Sequence, residues 1–472
     1  MNPDTILERV TRAIDVLIEA GAEYDGLFPS LIDRKVHKML TELPPAIDGQ
    51  RMGDRAHLGN NLMHDHTALR AMYALAESLN RPDYTQAADR YLKRFATHCT
   101  DTPTGLFPWG EHSFWHLVDD AVGNSYLLRD SEANPPVTHD HLRQVPLWLW
   151  EKLLDFNPAC VARFSEGLNG HWTEGEALEY IRHAYIMEKR PYRRGARSCD
   201  FPRHGGFYIL DWGFAYKETG RVDFLDQIRT MLDYWWEKKD DRGLLLIESR
   251  SPETETKFYG VNSVAQTLSL GVSLLEAADL LEDKEPGLAQ TMRERAGGYI
   301  GGFLAAPHDI ENGVFVGSSS QKTNEILNTF VTWGSKYGTA SPVAGTAQIA
   351  LCAYRFTNDE RLFSWAKAAA KPYLEEPLPQ DTAVPARDPG AGIGLLADLY
   401  DQTGEDRWIE GGLDLAGEMM EVYMDGDLPR GSSQTEDYES QLGPGNLLYA
   451  LTRLALLAKD RSQDPGPDYT NR

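Results

Sequence analysis

Histidines and carboxylates concentrate in one part of the sequence, between residues 64 and 141. Seven of the 13 histidines fall there, and six of them form three clusters, in MHDHTAL, GEHSFWHLVDD and THDHLRQ. An imidazole beside a carboxylate can give and take protons, because each group shifts the pKa of the other. The clusters therefore predict acid–base chemistry in this stretch.

The segment GEHSFWHLVDD (110–120) carries the densest set of such groups. If a helix begins near Glu111, His112 and His116 lie one turn apart and share a face with the following aspartates. An imidazole and a carboxylate on one face are the minimum for general acid–base catalysis. The predicted catalytic residues are Glu111, His112, His116, Asp119, Asp120, Asp211 and His66.

Aromatic, polar and charged side chains recur in the segments between the predicted helices. Aromatic rings can stack on a sugar face, and arginine suits bidentate contact with a carboxylate or sulfate. The predicted substrate-binding residues are Trp109, Trp115, His64, His139, His141, Arg203, His204, Trp212, Glu248, Arg250, Tyr259, Asn262, Lys336, Tyr337 and Glu439.

A divalent cation is the rival interpretation of the histidines. Neutral imidazoles and carboxylates bind Zn²⁺, and two histidines four residues apart can share it. However, no HExxH motif occurs, and the two histidines of an HDH triplet lie on different sides of a helix. We therefore predict no cofactor, with a structural or catalytic divalent metal as the alternative.

Most of the chain shows the 3.6-residue periodicity of helices, for example over Thr5–Glu19, where Asp4 is a plausible N-cap, and over Glu174–Met187. Strand-like runs are few and short, the best being Leu244–Ile247 and Val314–Val316. Helices rich in small residues alternate with helices that carry aromatic and charged residues. This alternation predicts six or seven hairpins, with an inner ring of closely packed helices and an outer, solvated ring.

Related loops follow several of the outer-type helices. DGLFPSL (25–31) and TGLFPWG (104–110) are near copies, with looser echoes in RGLLLIES, NGVFVGS and DGDLPRGS. A glycine after a helix fits a C′ cap. This organisation resembles the six-hairpin glycosidase-like (α/α) toroids, which include unsaturated glucuronyl hydrolases, polysaccharide lyases and N-acylglucosamine 2-epimerases. The resemblance implies an all-α (α/α)6 or (α/α)7 barrel whose rim loops, with short β segments, gather the polar residues.

The amino-acid composition limits the kinds of partner that the protein can bind. The 472 residues carry 71 acidic and 47 basic side chains, so a net charge of −24 argues against nucleic acid or an anionic membrane as partner. No signal-like N-terminus, no stretch of 18 apolar residues and no CxxC pair occur. We therefore expect a cytoplasmic protein with free thiols, which could form a homo-oligomer. Residues 1–460 should form one catalytic barrel domain, followed by a flexible tail over 461–472.

Three enzyme classes fit these groups. Hydrolysis of a glycosidic bond uses two carboxyl groups, and Glu111, Asp120 and Asp211 are among several that could provide them. β-Elimination on a uronate needs a base and donors that neutralise the substrate carboxylate, such as Tyr259 with the asparagines near His64. We predict an exo-acting glycoside hydrolase on uronate-containing oligosaccharides. A lyase, and then an epimerase or a non-catalytic sugar-binding protein, are the alternatives.

Overall fold

The structure is a computed structural model that describes residues 1–125, 136–141, 143–172, 180–191, 199–249, 260–334 and 342–470. Helices dominate these residues. They are α1 (Pro3–Gly21), α2 (Leu62–Ser78), α3 (Pro82–Arg94), α4 (Leu147–Phe156), α5 (Cys160–Gly167), α6 (Pro202–Thr219), α7 (Val222–Trp236), α8 (Val264–Leu281), α9 (Pro286–Ala305), α10 (Val343–Thr357), α11 (Glu360–Ala370), α12 (Pro372–Glu375), α13 (Arg387–Thr403), α14 (Asp406–Tyr423) and α15 (Pro444–Lys459).

The helices form two concentric layers. The inner helices α6, α8, α10, α13, α15 and α2 pack against one another in that order and are buried on almost every face. The shorter, half-buried α4 lies between α2 and α6, with Trp148 against Tyr73 of α2 and Trp150 bonded to Asp211 of α6. Each inner helix follows an outer one, which gives seven outer–inner pairs in the described part of the chain. The predicted (α/α) toroid is confirmed.

Residue size and apolar spacing explain the two layers. The outer helix α1 buries Ile6, Val10, Ile14 and Leu17 on one stripe and exposes the opposite face. Its N-cap is Asn2, whose side chain accepts a bond from the Asp4 amide, so the predicted cap was wrong by two residues. The inner helix α8 is apolar all round. By length and composition alone it could cross a membrane, but 72% of it is buried inside the barrel.

Close approach of the inner helices depends on small residues. A Cβ placed on Gly206 of α6 would lie 2.8 Å from the Cβ of Ser273 on α8. A Cβ on Gly445 of α15 would lie 2.9 Å from Thr67 Oγ1 on α2. Such distances are shorter than real contacts, so larger side chains would force these helices apart.

Short antiparallel strands occupy the connections that lead from outer to inner helices. They are β1 (Leu31–Asp33), β2 (Lys38–Met39), β3 (Gly59–Asn60), β4 (Ser113–His116), β5 (Ala121–Asn124), β6 (Thr138–His139), β7 (Ala184–Tyr185), β8 (Cys199–Asp200), β9 (Glu248–Ser249), β10 (Val261–Ser263), β11 (Val316–Ser320), β12 (Ile326–Thr329) and β13 (Tyr438–Glu439). The sheet orders are β13–β1–β2, β3–β4–β5, β10–β11–β12, β6–β7 and β8–β9.

All these connections meet at one end of the barrel, because outer and inner helices alternate in direction. The GLFP-type loops begin them, as predicted, with a glycine at positive φ at Gly26, Gly105, Gly243 and Gly313. At Gly105 a Cβ would also lie 2.4 Å from the Arg163 carbonyl oxygen, so only glycine fits. This end of the barrel, called the rim below, carries the candidate site.

Three predicted elements differ from the structure. Residues 113–116 form strand β4 and not a helix, because a hairpin pairs them with β5. The described part of Glu174–Met187 contains strand β7, and the helix of this region is α5, earlier in the chain. The predicted strand Leu244–Ile247 does not form, and these residues make only an isolated bridge between Leu246 and Asn262.

The C-terminal segment also differs from the predicted flexible tail. Residues 464–470 enter the barrel between the inner helices. Arg70 donates to the Pro465 and Pro467 carbonyls, and Tyr449 donates to the Gly466 carbonyl. Backbone carbonyls that bond to helix side chains give this segment a defined place.

Candidate functional site

Three side chains from two rim connections converge at one point. The metal-ligating atoms of His112, Asp140 and His183 all lie within 4.8 Å of one another. Asp140 Oδ2 is 3.4 Å from His112 Nε2 and 3.7 Å from His183 Nε2. Pairing of β6 with β7, and a bridge between Gly110 and Asp140, bring the three chain segments side by side. We call these three residues the triad.

Cationic side chains surround the triad. Arg182 Nε is 3.5 Å from Asp140 Oδ2, and Arg182 Nη2 is 3.4 Å from His112 Nε2. Arg51 is paired with both Asp54 and Glu111, and Glu111 Oε2 lies 3.7 Å from Arg182 Nη1. The arginines stay charged at any working pH and can bind a substrate carboxylate.

Burial sets the protonation of the triad region. Asp140 is 1% exposed, and neither carboxylate oxygen has a hydrogen-bond partner among the described residues. Burial raises the pKa of Asp140, although the charges of Arg182, Arg203 and Arg51 oppose it. Burial, followed by the charge of nearby arginines, holds the pKa of His183 and of His204 well below the usual range.

The triad fits a divalent cation. Two imidazoles and a carboxylate are a donor set for Zn²⁺ and other divalent first-row metals. The low pKa of His183 keeps that ring neutral, as a ligand must be. The two unbonded oxygens of Asp140 are the buried polar atoms that a cation would satisfy.

The predicted catalytic stretch is divided by its hairpin. Glu111 and His112 lie at the triad, 3.8 Å apart. Asp119 and Asp120 lie in the turn after β4, with side chains 75% and 50% exposed. Asp120 accepts bonds from Arg94 and Trp115, and His116 contacts Asp119. The hairpin therefore carries His116, Asp119 and Asp120 away from the triad.

Several predicted site residues are core residues. Trp109 is fully buried and donates to His139 Nε2, and His139 Nδ1 lies 2.9 Å from His171 Nε2. His141 and Asp211 face each other at 3.7 Å, both buried. These groups lie under the triad and help to hold its backbone.

The remaining described candidates divide into structural pairs and groups near the triad or the barrel axis. Arg55 holds Glu439 through two bonds of 2.7 Å, Asn262 donates to Asp240, and Trp212 donates to the Ser165 carbonyl. His204 lies 3.9 Å from Asp140, and Arg203 acts on Asp140 by charge. His64 and His66 lie on α2 inside the barrel, and Trp115 is on β4. The side chain of Glu248, and residues Arg250, Tyr259, Lys336 and Tyr337, are outside the described part of the structure.

Sequence reasoning missed Arg51, Asp140, Arg182 and His183. Asp140 is the central residue of the second HDH triplet, and the triplet was interpreted through its histidines alone. Arg182 and His183 were assigned to a helix, where their neighbours gave no sign of a site. Strand β7 turns this dipeptide toward Asp140.

A sequence model of one family matches part of the chain. It describes a periplasmic pectate lyase and matches residues 47–198, about a third of the sequence. This range contains the whole triad, Arg51 and Arg182. No curated protein matches the chain.

Solved structures are similar over most of the chain at low identity. A sugar epimerase from a ruminal bacterium is 13% identical, with 80% of this chain and 88% of that chain covered and a TM-score of 0.49. The unsaturated glucuronyl hydrolase from Bacillus sp. GL1 is 11% identical, with 97% of each chain covered and a TM-score of 0.46. A glycoside hydrolase family 76 mannosidase from Bacteroides thetaiotaomicron is 14% identical, with 97% and 100% covered and a TM-score of 0.44.

The chain folds as an (α/α) toroid, and its alternating outer and inner helices carry this conclusion. The matching family model covers about a third of the chain. The toroid together with the pectate lyase match points to an enzyme that acts on carbohydrate.

Proposed function

We propose that this protein cleaves uronate-containing polysaccharides by β-elimination. The proposal rests on one observation, the convergence of His112, Asp140 and His183 with Arg182 inside the segment that matches a pectate lyase family. It favours the lyase, which the sequence analysis ranked second to hydrolysis. The cytoplasmic location, too, stays a proposal.

Elimination makes two demands that the site meets. The reaction breaks the C5–H bond and then the C4–O bond, leaving a C4=C5 double bond conjugated with the uronate carboxylate. Neutralising that carboxylate makes the C5 proton more acidic, which Arg182 and Arg51 can do by charge-assisted bonds. A divalent cation on the triad would supply further positive charge for the same purpose.

The proton at C5 must pass to a side chain near Asp140. His204 is buried beside Asp140, its ring nitrogens have no hydrogen-bond partner among the described residues, and its low pKa keeps it neutral and able to accept. Arg182, whose side chain is 17% exposed, lies nearer to solvent than His204 and is placed to hold the uronate carboxylate beside it. The leaving oxygen takes a proton from solvent, which reaches the same opening.

Hydrolysis fits this geometry less well. A glycosidase needs a protonated acid and a second carboxylate that is open to the sugar or to water. Here Glu111 is paired with Arg51, and Asp140 lies between Arg182 and two imidazoles. Both carboxylates are engaged by cations and rings.

The test follows ultraviolet absorbance with polygalacturonate as substrate. The proposal expects a rise from the conjugated double bond, abolished by EDTA and restored by Mn²⁺ or Zn²⁺. The variants Arg182→Gln and His204→Asn should lower the rate, whereas Arg229→Gln, on the exposed face of α7, should not. New reducing ends without an absorbance rise would contradict elimination and support hydrolysis instead.

A further inference from the structure

A buried phenylalanine lies directly before α6, close to the triad. Strand β8 ends at the residue before Phe201 and α6 begins at the residue after it, and the backbone of Phe201 is extended, with φ −115° and ψ 128°. Its carbonyl accepts a bond of 3.0 Å from the His204 amide in the first turn of the helix. The residue is 7% exposed. A strand on one side and a helix on the other therefore fix the place of this ring.

The ring of Phe201 contacts charged and polar side chains. The Cζ atoms of Arg182 and Arg203 lie over it, 5.2 Å and 5.6 Å from its centre. The imidazole of His204 meets it edge to face, with the two ring centres 5.4 Å apart. Phe201 does not belong to the contiguous hydrophobic core that the described residues form. Packing against that core therefore does not explain why an aromatic ring lies here.

The three side chains on this ring are the ones that face Asp140. Arg182 Nε is 3.5 Å from Asp140 Oδ2, and His204 Nε2 is 3.9 Å from Asp140 Oδ1. The charge of Arg203 opposes the rise in the pKa of the same carboxyl group. Arg182 comes from the segment before β7, whereas Arg203 and His204 belong to α6. One ring thus supports groups that reach the triad from two separate segments.

An aromatic face can hold a guanidinium group without neutralising it. The negative face of the ring quadrupole attracts the cation. The N–H donors of a guanidinium lie in its plane and not on its face, so they can still bond a carboxylate of the substrate. A carboxylate in place of the ring would cancel the charge that a uronate requires. An arginine side chain also has many rotamers, and stacking on a fixed ring restricts them.

We propose that Phe201 is a positioning residue of the candidate site, whose ring holds the guanidinium groups of Arg182 and Arg203 beside Asp140. Its effect on catalysis rests on the proposed function, in which Arg182 binds the uronate carboxylate. The support of the two arginines does not depend on the reaction. Loss of a cation–π contact in a desolvated place corresponds to about a tenfold change in the population of the held rotamer.

The first experiment compares elimination by Phe201→Leu and Phe201→Tyr with that of the wild type. Leucine keeps an apolar side chain but removes the aromatic face, whereas tyrosine keeps the face. With polygalacturonate, Phe201→Leu should lower kcat/KM about tenfold, and Phe201→Tyr should retain most of the wild-type value. Phe363→Leu on α11 is the matched control, because that ring also carries a cation, with Lys367 Nζ 5.3 Å from its centre. It should leave the rate unchanged.

The second measurement is independent of any reaction. Phenylglyoxal modifies accessible arginines, and mass spectrometry of the digested protein gives the rate at each one. Arg182 and Arg203 should react several times faster in Phe201→Leu than in the wild type or in Phe201→Tyr, because their guanidinium groups leave the ring. The exposed Arg229 should react equally in all three proteins. Phe201→Met, which also lacks an aromatic face, takes the place of Phe201→Leu if that variant does not fold.

The outcomes separate the ring from the reaction. Unchanged labelling of both arginines in folded Phe201→Leu would overturn the proposal. Equal losses of kcat/KM in Phe201→Leu and Phe201→Tyr would overturn it as well, because the aromatic face would then not be what matters. Faster labelling with an unchanged kcat/KM would overturn the effect on catalysis. Faster labelling in a protein that shows no elimination at all would uphold the support of the arginines and contradict the proposed lyase activity.

Discussion

Replacing Asp140 by asparagine should remove the stabilisation that a bound metal gives while changing the stability of the metal-free barrel little. The carboxylate is buried, has no hydrogen bond to a described residue, and has a pKa raised by burial despite three nearby arginines. Its charged form is therefore a cost to the fold. Asparagine removes this buried charge but also its attraction to Arg182, so Asp140→Asn without metal should be about as stable as the wild type.

A bound cation should make the wild type more stable than the Asp140→Asn variant. A cation at a hundred times its Kd stabilises a folded protein by about 2.7 kcal/mol. At about 2.1 cal/mol/K per residue, the unfolding entropy of 472 residues is near 1 kcal/mol/K, so the wild-type Tm should rise by about 3 °C. Asp140→Asn loses the only carboxylate of the triad, and most of this shift should disappear.

The assay is differential scanning calorimetry with EDTA, and with Mn²⁺ or Zn²⁺ in excess. Asp226→Asn on the outer helix α7, with a 70% exposed side chain, is the matched control and should keep the wild-type shift. A metal-induced rise in Asp140→Asn equal to that of the wild type would refute the triad as the cation site. Elimination activity that survives EDTA in a wild type showing no metal-induced shift would refute it too.

Three further predictions concern catalysis, pH and the C-terminal segment. Arg182→Gln should lower kcat/KM for elimination by about a hundredfold and change the urea midpoint little; a wild-type rate would contradict its role. The free energy of unfolding should fall as the pH drops below 6.5. Buried histidines have lower pKa values in the folded chain than in the unfolded chain, so the unfolded chain binds more protons. At pH 5 each such histidine lowers the free energy of unfolding by about 2 kcal/mol. Urea midpoints that are equal at pH 7 and pH 5 would contradict this prediction, which rests on His66 and His308, with pKa values of about 4, and His141 and His171, with pKa values of about 3. Asp464→Asn should lower the free energy of unfolding by about 1–3 kcal/mol, measured with urea, because it removes one of two carboxylates bonded to the buried Arg453; an unchanged value would show that Asp398 suffices.

The fold could be predicted because its signals are local and repeated. The small residues of α8 and α10 and the mixed faces of α7 and α11 report directly which layer a helix occupies. Glycine at positive φ after an outer helix marks the turn toward the rim, as at Gly26 and Gly105. Because these features depend only on residues that are close in the chain, they can be predicted from the sequence.

Only part of the candidate site could be predicted from the sequence, because the site depends on contacts between segments that are distant in the chain. Glu111 and His112 were identified because they stand in a dense polar segment. Arg182 and His183 become site residues through the pairing of β6 with β7, which joins segments 46 residues apart. Nothing in the composition around Arg182 reports that pairing. Long-range strand register therefore decides which imidazoles reach the triad.

The same strand register aligns the buried histidines His139 and His171 in one chain of hydrogen bonds. The Trp109 indole can only donate, and it bonds to His139 Nε2 at 3.2 Å. The Ile181 carbonyl can only accept, and it lies 2.8 Å from His171 Nδ1. The proton in each neutral ring must therefore sit on Nδ1, so that His139 donates to His171 across 2.9 Å. The bonds run in one direction from Trp109 to the carbonyl just before Arg182. A second proton on His171 would set two donors face to face and break the chain that holds Arg182 and His183 at the triad.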